Sequence, residues 1–422
     1  MSGHSRLALT GLLAFCLLIR LAFVLQVPAH DPFYADGMDY SRVAAGIAEG
    51  RGFYPPEMKP LIVYRAPGYP FALAGIYRLF GIGNFTAVRI VQCVLATSTG
   101  LLLFEIGATL AGVSAGLVAL AFYAVHPFFI YHCATVAPEV LFTFFVVATY
   151  LSLFRFFADR RLREILSTGL TMGLAAVVKG TVLLTLPAAA LTILFLLRHR
   201  WKRAFAAVLL LGIASFGVIA PIPLWVYHRW HEFSLILDGS GLNFWIGNSD
   251  VSARLFRAKT ATEFQNIQKQ LWMETLPGFD KEIETLGPAK RDAFYFELGK
   301  EQFRKNPRRS FWMMTERFKI FWRPWVHPKA YGQGQVILSA LATVPLFLFG
   351  FFQLLRRAAQ QQPDALFLLL SIVPITLLTG MIFNTEIRWR IPLIDTLLII
   401  YAASALTAFA TRGKRKMGAS QI

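Results

Sequence analysis

Long apolar blocks restrict this chain more than any other feature of its sequence. They run over about 7–26, 88–110, 113–129, 140–157 and 338–352. A hydrocarbon core of about 30 Å takes about 20 residues at a helical rise of 1.5 Å. Backbone N–H and C=O groups find no water there, so each block must satisfy its own, as a helix does. The alternating pattern of a membrane β-barrel strand is absent from the sequence. Hydrophobic residues make up 56% of the 422 residues, above the roughly 45–50% of soluble domains. The fold class expected is therefore an all-α membrane protein, a polytopic bundle of about ten transmembrane helices with a loop domain on one side.

Charge sets the orientation. Basic clusters stand at Arg160-Arg161-Leu162-Arg163, at 198–203, at Arg356-Arg357 and at 412–416. Short cytoplasmic loops collect Lys and Arg, so all four clusters and the N-terminus are assigned to the cytoplasm. The predicted path has helix 1 at 7–26, a loop outside, then helices at 87–109, 113–131 and 138–157. The block 166–197 is too long for one span and holds Lys179-Gly180 and Pro187, so it is split in two. Further helices follow at 204–227, 336–355, 365–383 and 391–410. Three regions result: 1–227, a membrane module with its first outer loop at 27–69; 228–335, an outer loop and helical domain; and 336–422, the last helices and a basic tail. The later half of 228–335 reads as amphipathic helix, with Phe294, Phe296, Leu298, Phe303, Phe311, Met314, Phe318 and Phe321 on an apolar face.

The net charge of +18 is accounted for by this asymmetry and by anionic headgroups, and nucleic acid is not an expected partner. Cys16, Cys93 and Cys133 lie scattered in apolar segments and form neither a metal pattern nor a disulfide framework. Val27-Pro28-Ala29 is a poor cleavage site, so the first block is expected to stay as a helix.

Polar residues at the outer ends of the helices are the candidates for chemistry. In Asp36-Gly-Met-Asp39-Tyr40 a helix starting at Asp36 would set Asp36, Asp39 and Tyr40 on neighbouring turns. The plain reading is an N-cap and a first-turn acid. The functional one is a carboxylate that accepts a proton from an attacking hydroxyl. Glu139, after Pro138, has the same two readings. Arg65, Lys179, Arg388 and Arg390 are cations at or near the same face. They read as headgroup-facing side chains or as a grip on a lipid-linked phosphate. The eight histidines show no metal-binding pattern, and no dense carboxylate cluster exists, so neither metal nor cofactor is expected. Walker A, Rossmann, GxSxG and kinase motifs are absent, so a nucleotide is not the expected donor.

These residues resemble the GT-C superfamily of membrane glycosyltransferases, in the bacterial branch related to protein O-mannosyltransferases and the lipid A aminoarabinose transferase. The resemblance is carried by Asp36-Gly-Met-Asp39-Tyr40, by Glu49-Gly-Arg-Gly-Phe53 and by Tyr64-Arg65-Ala-Pro-Gly-Tyr69-Pro70. It continues through Glu139-Val-Leu-Phe-Thr, Gly173 to Gly180, Gly247-Asn248 and Arg388-Trp-Arg390-Ile-Pro392. It implies a polyprenyl-phosphate sugar donor and transfer on the periplasmic face of a bacterial inner membrane. It also implies Asp36, Glu139 and Asp39 as the acids. Arg65, Arg388, Arg390 and Lys179 fall to the donor phosphate, and Tyr40, Tyr64, Tyr69 and Asn248 to substrate. Where many relatives carry Asp-Glu, this chain has Asp36-Gly37. The acceptor stays open among lipid A, another envelope glycan and protein. A lipid-linked sugar flippase or a non-catalytic assembly protein would share the polytopic pattern, though no internal repeat is found.

Overall fold

The computed structural model describes residues 2–31, 36–55, 64–237, 239–274, 283 and 286–419. Residues 32–35 and 56–63 of the expected first outer loop lie outside the described residues. Among the described residues there are helices and no strands.

The chain begins with α1 (Gly3–Val24), α2 (Gly37–Ala48), α3 (Gly68–Phe80) and α4 (Phe85–Ala111). Next come α5 (Val113–Val125), α6 (Pro127–Ala134), α7 (Glu139–Asp159) and α8 (Leu162–Val178). A 3-10 turn (Gly180–Thr185) leads into α9 (Leu186–Leu196), α10 (Trp201–Ile219) and α11 (Pro221–Trp230). The long polar stretch holds α12 (Ser240–Asn248), α13 (Asp250–Arg257), α14 (Ala261–Glu274), α15 (Pro288–Lys305) and α16 (Pro307–Trp322). The chain closes with α17 (Gln333–Ala359), α18 (Pro363–Leu377), α19 (Ile387–Arg390) and α20 (Thr396–Ala419).

Seven described helices are long and apolar enough to span a membrane, and eight if α5 and α6 make one bent span. The expected count of about ten is thus not reached. The break foreseen at Lys179-Gly180 is present, but the helices on either side of it, of 17 and 11 residues, are short for a span. The span expected at 113–131 bends by 52° before Pro127, and the one at 204–227 is interrupted at Pro221. Proline has no N–H to continue a helical ladder. The short helix α3 was not foreseen, because its 13 residues carry no block of membrane length.

Close helix contacts use small residues, as membrane packing does without a hydrophobic drive between helices. A Cβ at Gly107 of α4 would lie 2.9 Å from Gly116 Cα of α5. One at Gly173 of α8 would lie 2.7 Å from Ser215 O of α10. Breaks in the helices free carbonyls, and buried arginines take them up. Arg20 of α1 donates to Tyr123 O at 3.0 Å and Ala124 O at 3.1 Å, where α5 ends before Pro127. Arg89 of α4 donates to Ala134 O and Pro28 O, both at 2.9 Å, and to Asp31 O.

Candidate active site

The site forms where three distant stretches of chain meet: the first polar loop, the start of α7 with the end of α8, and the short segment before α20. Asp36 occupies the N-cap position of α2, yet its carboxylate makes no capping bond. It turns instead to Arg65, whose Nη2 lies 2.9 Å from Asp36 Oδ1 and 2.8 Å from Asp39 Oδ2. A carboxylate taken away from its helix terminus gives up about 1 kcal/mol of capping. Here that loss is offset by a charged hydrogen bond. Asp39 and Tyr40 follow on the first turn of α2, and the Tyr40 ring sits 5.2 Å from the Arg65 guanidinium carbon.

Glu139 opens α7 behind Pro138 and is 2% exposed. Its Oε1 lies 3.2 Å from Arg388 Nη1 and 3.7 Å from Lys179 Nζ. Lys179 marks the end of α8, and its ammonium stands 5.9 Å from the Phe142 ring and 5.7 Å from the Trp389 ring. Arg388 lies in α19, between π-helical turns at Leu378–Ile382 and Ile391–Asp395. Such turns often mark functional positions in helices. Arg388 Nη2 is 3.7 Å from Asp36 Oδ2, so it links the two acids, and its Nε is 2.7 Å from Glu386 Oε2. Gly68 permits the junction: a Cβ there would come within 2.8 Å of Val177 O at the end of α8. Gly68, three residues after Arg65, is thereby packed against the end of α8 just before Lys179.

Six of the residues expected at a site therefore converge: Asp36, Asp39, Glu139, Arg65, Arg388 and Lys179. With Glu386 they set four carboxylates against three cations. Burial works against the charge of Arg65, but Asp36, Tyr40 and Asp39 outweigh it and hold its pKa above the ordinary value. Burial also pushes the Tyr40 phenol well up, so it stays neutral. The side chains of Asp36, Asp39, Arg65 and Arg388 are 15–30% exposed, so the cluster opens outward over a buried Glu139.

Other expected residues fall elsewhere. Tyr69 lies behind the cluster. Its ring meets Tyr40 edge-on at 5.2 Å, and its hydroxyl donates to Gln92 Oε1 at 3.1 Å. Gln92 in turn donates to Cys133 O and Thr135 O, which fixes the strand of chain leading to Glu139. Tyr64 packs against Tyr54, Trp230 and Arg291, beneath the polar helices. Asn248 is buried and donates to Phe244 O at 2.8 Å at the end of α12. Arg390 points away from the cluster. It forms a two-pronged pair with Asp395, at 2.9 Å from Nε and from Nη2, and donates to Phe321 O and Arg323 O. Its place is thus in a buried structural pair, whereas the sequence reading put it at a phosphate. Glu386, Tyr54, Gln92 and Trp389 were not singled out from the sequence. Glu386 had a visible signal, an acid two residues from Arg388.

Residues 64–227 match the model of the family described as dolichyl-phosphate-mannose-protein mannosyltransferase. A comparison with curated proteins finds no match. Among solved structures the chain is similar to the archaeal oligosaccharyltransferase AglB from Archaeoglobus fulgidus, in complex with an inhibitory peptide and a dolichol-phosphate. The TM-score is 0.61 at 14% identity, covering 100% of this chain and 52% of that one. The apo form of the Archaeoglobus fulgidus oligosaccharyltransferase gives 0.56 at 14% identity, covering 98% and 52%. ArnT from Cupriavidus metallidurans in the apo state gives 0.41 at 13% identity, covering 94% and 77%, too low a score to bear on the argument. The chain spans about half the length of the oligosaccharyltransferase whose fold it shares. The resemblance to GT-C glycosyltransferases is borne out by the family match over 64–227 and, for the fold, by AglB.

Proposed function

We propose that this chain is a membrane glycosyltransferase that moves a sugar from a polyprenyl-phosphate donor to an acceptor hydroxyl on the periplasmic face of a bacterial inner membrane. The observation that carries the reading is the cluster itself. Asp36 and Glu139, from separate segments, meet on Arg388, with Arg65 and Lys179 beside them. A cation group next to an accessible carboxylate is what transfer away from a phosphate requires. Asp36 takes the proton of the acceptor hydroxyl. That oxygen bonds to the anomeric carbon, and the carbon–oxygen bond to phosphate breaks with its electron pair going to the phosphate. Arg65 and Arg388 offset the charge that gathers on the leaving phosphate. Attack from the side opposite the phosphate inverts the anomeric carbon. Glu139 holds Arg388 and Lys179 from below.

The geometry of α7 supports the assignment of the membrane side. Glu139 stands at one end and Arg160 just past the other, about 30 Å away for 21 residues. Arg203 Nη2 donates to Arg160 O at 2.5 Å, which gathers two basic clusters at that far end. Basic loops collect on the cytoplasmic side, which supports a site on the opposite, outer face. On this reading both termini are cytoplasmic and residues 228–335 cover the acceptor side.

Asp36→Asn tests the proposal. It keeps shape and removes the base, so transfer should fall between a hundredfold and ten-thousandfold with normal expression. Mass spectrometry of envelope lipids and glycans, in a deletion strain carrying either form, reads the outcome. Unchanged transfer would remove Asp36 as base. Movement of labelled lipid across the membrane without a new glycosidic bond would make the chain a flippase.

A further inference from the structure

Tyr54 is held in a conformation that a tyrosine seldom adopts. Its φ is +54°, in the left-handed region, which strains a non-glycine residue. Glycines accept such angles freely, and Gly50 and Gly52 nearby, at +80° and +92°, do so. A side chain that would be cheaper to omit is kept here, and it is 7% exposed. Its ring is walled in by Phe53 at 4.6 Å, Tyr64 at 5.0 Å and Trp225 at 6.2 Å. That wall aims the hydroxyl at one target, the backbone N–H of Arg65, from which it accepts a hydrogen bond. Burial keeps the phenol neutral, with its pKa pushed well up.

The bond ties the backbone of Arg65 to Tyr54. Arg65 has its Nη2 on both Asp36 and Asp39. Arg65 has four rotatable side-chain bonds, so its guanidinium finds one place only if its backbone is fixed. The Tyr40 ring limits it from one side; the Tyr54 hydroxyl limits it at the root.

We propose that Tyr54 is a positioning residue for Arg65, acting through the hydroxyl it places on the Arg65 N–H. The proposal rests on the reading of Arg65 as a ligand of the donor phosphate. Strain in the backbone is offset by the buried hydrogen bond, and the return is a guanidinium set before the lipid phosphate arrives.

The test is a double-mutant cycle on the full chain in nanodiscs, with Tyr54→Phe, Arg65→Ala and the pair together. The readouts are donor KM and kcat, the Kd for undecaprenyl phosphate, and Tm. Tyr54→Phe removes one oxygen and keeps the ring in its wall. It should raise donor KM and the lipid-phosphate Kd by up to about tenfold, the worth of one buried hydrogen bond, with kcat changed less than twofold and Tm lowered by only a few degrees. In the Arg65→Ala background it should do nothing further, because its effect runs through that side chain. Equal losses in both backgrounds, no change in KM and Kd, or a fall in Tm in place of affinity would each overturn the proposal. If Arg65→Ala itself leaves lipid-phosphate binding and transfer intact, the phosphate reading of Arg65 fails, and the assignment of Tyr54 fails with it.

Discussion

Arg388 and Arg390 stand two residues apart, on either side of Trp389, and do opposite work. Arg388 faces carboxylates from three segments of chain and keeps 15% of its side chain exposed. Arg390 is 1% exposed and is closed off by Asp395 and two backbone carbonyls. The contrast extends through the molecule. Arg20, Arg89 and Arg317, each 0–1% exposed, donate to carbonyls at helix ends and breaks. Arg65 and Arg388 donate to acids that open outward. A guanidinium on carbonyls is spent on the fold, whereas one on acids keeps an accessible charge, which the proposed function assigns to an incoming phosphate.

The largest effects should separate these neighbours. Arg388→Ala leaves Asp36 paired with Arg65 at 2.9 Å and Glu139 with Lys179 at 3.7 Å, so the fold should stand. Transfer should drop at least about a hundredfold, as removal of a charge-stabilising group does. Arg390→Ala strands the Asp395 charge in the bundle, at a cost of about 3–5 kcal/mol. It should fail to accumulate or melt early in detergent. Arg390→Met with Asp395→Leu removes both charges and should recover most of that loss. The comparison breaks if Arg390→Ala folds normally and loses only transfer.

Much of this contrast was hidden in the sequence for a definite reason. Apolar runs announce themselves, so the spans at α1, α4, α7, α17 and α18 could be placed. Lys179-Gly180 marked a true break because a lysine and a glycine interrupt an apolar run. Carboxylates are also rare enough here to be noticed, which is how Asp36, Asp39 and Glu139 were picked out. Carbonyls are carried by every residue, so nothing in the sequence told that Arg20 would meet Tyr123 and Ala124 or that Arg317 would meet Met381. For the same reason Arg388 and Arg390 read alike until their partners were seen. Tyr54 left no trace either, since a left-handed backbone angle is not legible in a Gly-Phe-Tyr string.

The next effect in size is at Arg20. Its guanidinium fills the gap left where α5 stops, and in lipid no water can replace it. Arg20→Met should cost about 1–3 kcal/mol, because Ala124 O loses its donor and Tyr123 O keeps only a long bond from the His126 N–H. Thermal unfolding in detergent would show it. Arg20→Lys should recover only part, because one ammonium cannot reach both carbonyls in the planar arrangement of a guanidinium. Donor KM of the surviving protein should not move. A change in KM at constant Tm would place Arg20 with the functional arginines and blur the division.

The smallest effect belongs to a cation-on-carbonyl contact among the polar helices, away from the long apolar ones. Lys329 donates through Nζ to Ala258 O, and its N–H donates to His327 Nδ1 at 3.1 Å, while the His327 ring stacks on Phe264 of α14 at 4.4 Å. Burial, with help from Arg323 and Lys329, lowers the pKa of His327 to about 4. The folded state therefore favours the neutral ring. Its contribution is complete above the unfolded value of about 6.5 and fades as pH falls from there toward 4. The ring is partly exposed, so screening reduces the effect to about 1 kcal/mol at most. Protease cleavage within α14 should accelerate on going from pH 7 to pH 5 in the parent chain and stay flat in His327→Phe. An equal acceleration in both would mean that this contact is held by Lys329 alone.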